Sequence, residues 1–536
     1  GTKKGGFLNL QTITYKGSTN YTTSVSETTQ TMKVSDETRT ISGCIPYLND
    51  RKLVPTVTLS NEDARLQYST DGSNFYDWDG QSAIDFSQGN VIRAIQGKSY
   101  RDYVVEIVNT GLPVVVINQP GGNKDWSNIG EKIWSKDTDF DAIESGNPGT
   151  VTIYNADGSV NVAASTAMTR LRGNTTQDYP KKPFAVKFAS KTSVLGMPKH
   201  KRWVLLANWK DKSLMRNHIA LGVGRKFSEN MPDGIPWNVR GQFVELVYNG
   251  VHVGNYYLCE QIKIDGNRLD IKDSYEDVIE DISSPTLEEC GYLLELDSKE
   301  DTDPIFETSN GVPVKFKDDA IKGTTLFNQV KAKVQDIEDK LDAGNYTEAY
   351  KQLDINSLVD QFLIWELTMN REYGDPGSVY MFMDGNGKLS AGPVWDFDRG
   401  TFQNQEKATE LGNSTSYRVK PDNAWMFLRS QESEAYSYIW YRQLAKDKTF
   451  QQIVQQRWAV IKPYLEMVVS MISEYCTTQA VSYKYNSEMW PTNYSDIRKY
   501  KSDFKDWSGD EELGANGNYQ EVINNFMAVY QERLAG

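Results

Sequence analysis

Phe243-Val244-Glu245-Leu246-Val247-Tyr248, then Asn249-Gly250, then Gly254-Asn255-Tyr256-Tyr257-Leu258 reads as two strands that meet at a tight turn. Asn-Gly accepts the positive φ that a two-residue hairpin demands, so the two runs are expected side by side and antiparallel. Toward the N terminus, further strand signals fall at 203–207, 184–188 and 151–154, preceded by the apolar run Val114-Val115-Val116-Ile117. Toward the C terminus, Gly291-Tyr292-Leu293-Leu294-Glu295-Leu296 is one more strand. Beyond about residue 320 the period changes to helical: Leu326, Val330, Val334, Ile337 and Leu341 share one face. Asp354 is suited to cap a helix over 355–369. A later helix over 450–471 turns Val454, Trp458, Ile461, Leu465 and Val468 inward. Strands followed by helices give an α+β chain.

Residues 1–110 have a different character. They are rich in Thr and Ser, with alternating runs such as Val91-Ile92-Arg93-Ala94-Ile95 and Tyr103-Val104-Val105-Glu106-Ile107-Val108. Turn signals at Asp71-Gly72, Asp79-Gly80 and Gln88-Gly89-Asn90 separate them. Short strands at regular spacing predict a β-sandwich of immunoglobulin-like type over 1–110. Asn109-Thr110-Gly111-Leu112-Pro113 marks its end, followed by a mixed α/β part over 111–320 and a helical part over 321–536.

At 536 residues and a net charge of -14, the chain is long enough for a large core and too acidic overall to favour nucleic acid. No apolar run approaches the ~18 residues of a membrane-spanning helix. Three dispersed histidines, His200, His218 and His252, exclude zincin spacing, and four cysteines form neither a CxxC site nor a disulfide framework. The start, Gly1-Thr2-Lys3-Lys4, has neither Met nor an apolar stretch and reads as a chain that has lost a targeting segment.

Three segments have residues suited to chemistry. In Gly392-Pro393-Val394-Trp395-Asp396-Phe397-Asp398, two carboxylates two residues apart point to one side of an extended chain. Such a pair suits a hard divalent ion, and equally a solvated Asp-rich turn. Arg170-Leu171-Arg172-Gly173-Asn174, followed by Pro180-Lys181-Lys182-Pro183 and Lys187, reads as an anion-holding turn or as a solvated basic hairpin. Asn208-Trp209-Lys210-Asp211-Lys212-Ser213-Leu214-Met215-Arg216-Asn217 is a ligand-facing loop or a helix cap built on Asp211 or Ser213. No Walker A pattern is present.

These segments, with Leu195-Gly196-Met197-Pro198, Gly254-Asn255-Tyr256-Tyr257-Leu258-Cys259-Glu260, Gly291-Tyr292-Leu293-Leu294-Glu295-Leu296-Asp297 and Glu366-Leu367-Thr368-Met369-Asn370, stand in an order that resembles the CotH family, the spore-coat-protein-H-like atypical secretory kinases. The likeness runs from about Leu112 to Phe402. It implies a kinase-like fold with an N-lobe-like part over 111–320, a C-lobe-like part over 321–536 and a metal loop at 392–402. It implies ATP with Mg2+ or Mn2+, phosphorylation of an extracytoplasmic protein, and an exported location in the cell envelope, at the cell surface or outside the cell. By the likeness Asp396 holds metal, with Asp398 beside it. Lys187, Arg172 and Arg216 contact phosphate, and Glu260 partners the lysine. Active relatives carry N-x-D with an Asn five residues on. Here the stretch is Asn370-Arg371-Glu372, so Glu372 falls on the base position, Ser378 near the metal Asn, and Asp375 is an alternative base. A displaced carboxylate costs rate, on the order of 100-fold per ångström. The alternative to a working kinase is therefore a kinase-like scaffold in surface assembly or adhesion. A weaker third reading, carbohydrate binding, rests on 13 Trp and 30 Tyr.

Overall fold

The computed structural model of the chain describes residues 10–17, 29–45, 52–59, 63–82, 84–85, 90–126, 131–211, 213–299, 302–370, 377–398, 401–402, 440–490 and 519–536. Helices and strands mix throughout, as α+β predicts. The chain divides into two compact units. One gathers Gly1–Ala207, Gln242–Leu258 and Thr477–Pro491; the other gathers Asn208–Gly241, Cys259–Cys476 and Thr492–Gly536. This partition follows compactness, whereas the boundaries at 110 and 320 follow sequence character.

The first unit is built on one continuous sheet. Strands β1 (Val114–Asn118), β2 (Gly149–Tyr154), β3 (Val160–Leu171), β4 (Phe184–Val194), β5 (Met197–Leu206), β6 (Gly241–Tyr248) and β7 (Val251–Glu260) pair in the order β5-β4-β3-β2-β1-β6-β7. β7 pairs back onto β5, so the ring closes and these strands leave no open edge between them. The expected hairpin joins β6 to β7, with Asn249 at φ 46° and Gly250 at φ 81°. Closure brings aromatic rings together: Phe184 stacks on Tyr248 at 5.1 Å, and Trp126 lies 5.5 Å from Phe184 and 6.1 Å from Trp490.

The N-terminal strands continue this sheet. Thr29–Ser35 meets β7 through Val251 and Thr29, and Thr40–Ile45 runs parallel to Ser99–Asn109. Their alternation packs Ile41, Leu66, Ile84, Ile92, Tyr103 and Ile107 into one cluster.

The second unit centres on an antiparallel sheet of β8 (Gly291–Leu296), β9 (Ile305–Glu307), β10 (Pro313–Phe316), β11 (Val379–Asp384) and β12 (Leu389–Ala391), ordered β9-β10-β8-β11-β12. Helix α1 covers Arg216–Asn230 and α2 covers Thr325–Asp342, with the five apolar residues of the expected α2 face all buried. Helix α3, Ile355–Thr368, is capped by Asp354 as expected and is buried on every side from Ser357 onward. A helix buried all round must partner its polar residues. Asp360 does so with Arg457 of helix α4 (Lys448–Glu466), through Nε at 2.6 Å and a second guanidinium nitrogen at 2.8 Å. Here the sequence reading needs correcting. The inward residue at this turn is Arg457, and Trp458 is half-buried, because a carboxylate 97 positions away draws the guanidinium in. Gly234 makes room for the pair: a Cβ there would lie 1.8 Å from Asp360 Oδ2. Helices α5 (Val468–Met489) and α6 (Tyr519–Ala535) follow.

All four cysteines are buried. Among the described residues no helix is long and apolar enough to cross a membrane.

Removing one partner of a buried ion pair strands the other, at a cost of about 3–5 kcal/mol. Asp360→Ala is therefore expected to lower unfolding free energy by that amount in denaturant titration. Asp360→Ala/Arg457→Met is expected to cost clearly less than the sum of the single changes; strict additivity would show that the pair does not act as one.

Candidate active site

The loop after β12 is fixed by side-chain acceptors on its backbone. Gly392, at φ 98°, passes so close to Ile235 that a Cβ would lie 2.8 Å from its Cγ2. The Val394 N–H donates to Asn238 Oδ1 at 2.9 Å, and the buried Phe397 N–H donates to Asn217 Oδ1 at 2.8 Å. Asn217 in turn donates to Asn208 Oδ1 at 3.1 Å, and the Asn370 amide reaches the Asp396 carbonyl at 3.5 Å.

Asp396 sits at φ 64°, so the chain turns there and is not extended as the spacing argument supposed. The two carboxyls still meet, through a hydrogen bond between the Asp396 and Asp398 side chains. The Asp398 carboxyl is pushed up to about 7, first by burial, then by the Asp396 charge, with Lys210 pulling the other way. Asn208, Leu214, Met369, Asp396 and Phe402 are five of the non-glycine residues with positive φ, and all belong to segments tied to this loop. Strained backbone persists only where the surroundings over-determine it.

The entry to α1 provides that determination. The Asp211 carboxylate accepts from the Ser213 N–H at 2.9 Å, the Ser213 hydroxyl at 2.6 Å, the Arg216 N–H at 2.8 Å, and the Arg216 guanidinium. Arg216 Nε also donates to the Thr401 carbonyl at 2.7 Å, so one buried arginine ties the helix start to the far end of the loop. Asp211 thus takes the first N–H of α1, while the N-cap position itself is Met215, whose side chain makes no cap bond.

The remaining sequence candidates are placed as follows. Ser378 lies at φ 55° with its N–H on Asp297 Oδ2 at 3.2 Å. Glu260 is buried and pairs with Arg240 at 2.8 Å and Arg268 at 3.7 Å. Lys187, in the first unit, pairs with the exposed Asp141 at 2.6 Å. The Arg172 N–H bonds the Pro183 carbonyl at 3.3 Å. Glu372 and Asp375 lie outside the described residues.

Lys181, read in sequence as part of an anion-holding or solvated basic segment, is instead buried, its ammonium on the Ala207 carbonyl at 2.8 Å and on the Asn255 carbonyl. Burial pulls it down to about 7 against the Glu245 charge. Sequence reasoning missed the roles of Asn217 and Asn238 as acceptors for the loop. Asn217 is the second residue of α1 and Asn238 lies in the connection before β6, and neither place carries a periodic signal that marks such a role.

Among the described residues no three of His, Cys, Asp and Glu come together as a metal cage. A small hard ion usually takes one or two carboxylates and completes its shell with water and phosphate, so the Asp396–Asp398 pair fits it. A carboxyl with a raised folded pKa gives its stability below the unfolded value and loses it as pH rises through the folded one. Without divalent ion, Asp398→Asn is therefore expected to raise unfolding free energy at pH 8 by roughly 1–3 kcal/mol and to change it far less at pH 5. An equal effect at both pH values in chelator would show that Asp398 carries no such penalty.

The family model described as CotH kinase protein matches residues 169–535. No curated protein matches the chain. The match spans more than half of the sequence and includes Asn208–Asn217, the Asp396 loop and α6, and on that ground this chain belongs to the CotH kinase protein family.

Proposed function

We propose that the chain is a CotH-like atypical kinase that binds ATP with Mg2+ or Mn2+ and transfers phosphate to Ser, Thr or another acceptor on an extracytoplasmic protein. The observation that carries this reading is the carboxyl pair Asp396–Asp398, held on a loop whose amides are taken by Asn217 and Asn238. In this reading Asp396 and Asp398 hold the ion, with Ser378 a further oxygen donor. The ion supplies positive charge to the phosphate oxygens, which is the main demand of phosphoryl transfer. Glu372 or Asp375 takes the acceptor's proton. Arg172 and Lys187 contact phosphate; the Lys187–Asp141 pair is open to water on its acidic side, and such pairs exchange partners at little cost. Arg216 and Glu260 are engaged with other protein groups, and we assign them to holding the architecture that the phosphate contacts need.

The proposed setting is the cell envelope, surface or exterior, with 1–110 as an immunoglobulin-like β-sandwich ahead of N-lobe-like (111–320) and C-lobe-like (321–536) parts. A second reading, a scaffold that has lost transfer, is favoured by Glu372 standing where active relatives carry Asp, and by Ser378 falling near the position of their metal Asn.

Ligand that binds only the folded state stabilises it by RT ln(1 + [L]/Kd), about 2.7 kcal/mol at ~100-fold excess over Kd. A thermal-shift titration with ATP is expected to show stabilisation only with Mg2+ or Mn2+, and Asp396→Ala is expected to abolish it while the variant stays folded. An ATP response equal in the wild type and in Asp396→Ala would remove the metal role from this loop.

A further inference from the structure

The Asp396 loop is pinned at Val394 and Phe397 by asparagines, and its far end, Thr401-Phe402, is held differently. Phe402 lies at φ 55°, a conformation that costs a bulky side chain free energy unless its neighbours enforce it. Its N–H bonds the Thr368 carbonyl at 3.0 Å, at the end of α3. Its ring is clasped by two aromatic rings of α6, Phe526 at 5.0 Å and Tyr530 at 5.4 Å. Phe526 also lies 5.8 Å from the guanidinium of Arg216, the residue that holds the Thr401 carbonyl.

Helix α6 is itself anchored on two other helices. The Tyr530 hydroxyl donates to the Leu465 carbonyl at 2.7 Å, and Arg533 Nε donates to the Glu366 carbonyl at 3.1 Å, with the Glu366 carboxylate 3.5 Å away. Ile523, Phe526, Tyr530 and Leu534 recur at helical spacing and are buried, so one face of α6 carries both the anchors and the clasp.

The geometry points to α6 as a positioning element for the metal loop: Phe526 and Tyr530 press on Phe402, and Phe402 with Thr401 holds the downstream end of the segment that carries Asp396 and Asp398. This inference rests on the reading of that loop as the metal and nucleotide site. The helix touches no reacting group; it acts by keeping the loop in a backbone conformation that it would otherwise leave.

Hydrogen–deuterium exchange on the full chain tests it. Phe526→Ala is expected to speed exchange of the segment carrying the Phe397 and Phe402 amides by about tenfold or more, through local opening, with β8 and β11 unchanged. Tyr530→Phe keeps both rings on Phe402 but removes the hydroxyl anchor on Leu465, and is expected to speed exchange of this segment far less than Phe526→Ala does. Phe526→Leu preserves most of the volume and is expected to give the same local pattern at smaller amplitude, which secures the test if the alanine variant does not fold. A uniform rise across the second unit, or a loop as slow as in the wild type, would overturn the proposal. The same variants are titrated with Mg2+ and ATP, where Phe526→Ala is expected to lose most of the wild-type thermal shift. Exchange decides the clasp, and the wild-type ATP response separately decides the functional reading beneath it.

Discussion

A buried backbone N–H beside two carboxyl groups must find an acceptor, and for Phe397 that acceptor is Asn217. Much of the second unit follows from this one bond. Asn217 is presented by the second residue of α1, and α1 begins where it does because Asp211 takes up the donors at its start. The same carboxylate orients Arg216, which reaches the Thr401 carbonyl and closes the loop at its other end. A helix start and a carboxylate loop about 180 residues apart in sequence therefore share one set of hydrogen bonds. Its members are buried, so loss of one leaves the groups it engaged without that bond and shielded from water.

This arrangement explains how a costly feature is kept. Two carboxyls in contact, one of them with its pKa pushed up to about 7, do not stabilise a fold. The stability comes from elsewhere in the second unit, where α3 is buried on every side and Asp360 is paired with Arg457. The loop draws on that rigidity, and five residues in left-handed backbone conformation mark where it does so. Preorganised acid groups of this kind are useful where positive charge is to be held with little rearrangement, which is what phosphoryl transfer requires.

The parts of the fold legible in sequence were those written in local periodicity or turn chemistry. The Asn249-Gly250 hairpin, the Leu326-to-Leu341 face and the Asp354 cap each depend on residues within a few positions of one another. Arg457 was hidden because its partner is remote, and a periodic apolar stripe gives preference to Trp458. The burial of Lys181 was hidden for the same reason: the carbonyls that receive its ammonium belong to Ala207 and Asn255, far along the chain. At the site, the spacing of Asp396 and Asp398 correctly suggested that their side chains meet, but by the wrong route. The turn at Asp396 follows from acceptors on α1 and before β6, and nothing in seven loop residues announces them. The ordered polar motifs that resemble the CotH family mark this network well: Asn208, Asp211, Ser213, Arg216 and Asn217 are bonded to one another or to the loop.

Whether that network serves transfer or only binding turns on the fate of the γ-phosphate. The most direct measurement is incubation with ATP labelled at the γ-phosphate and Mn2+, following label that moves to protein or to water, in the wild type and in Asp396→Ala. The account predicts time-dependent loss of label from ATP in the wild type and none above background in the variant. Tight, Asp396-dependent ATP binding with the label left on the nucleotide would contradict it, and would make this loop part of a binding scaffold.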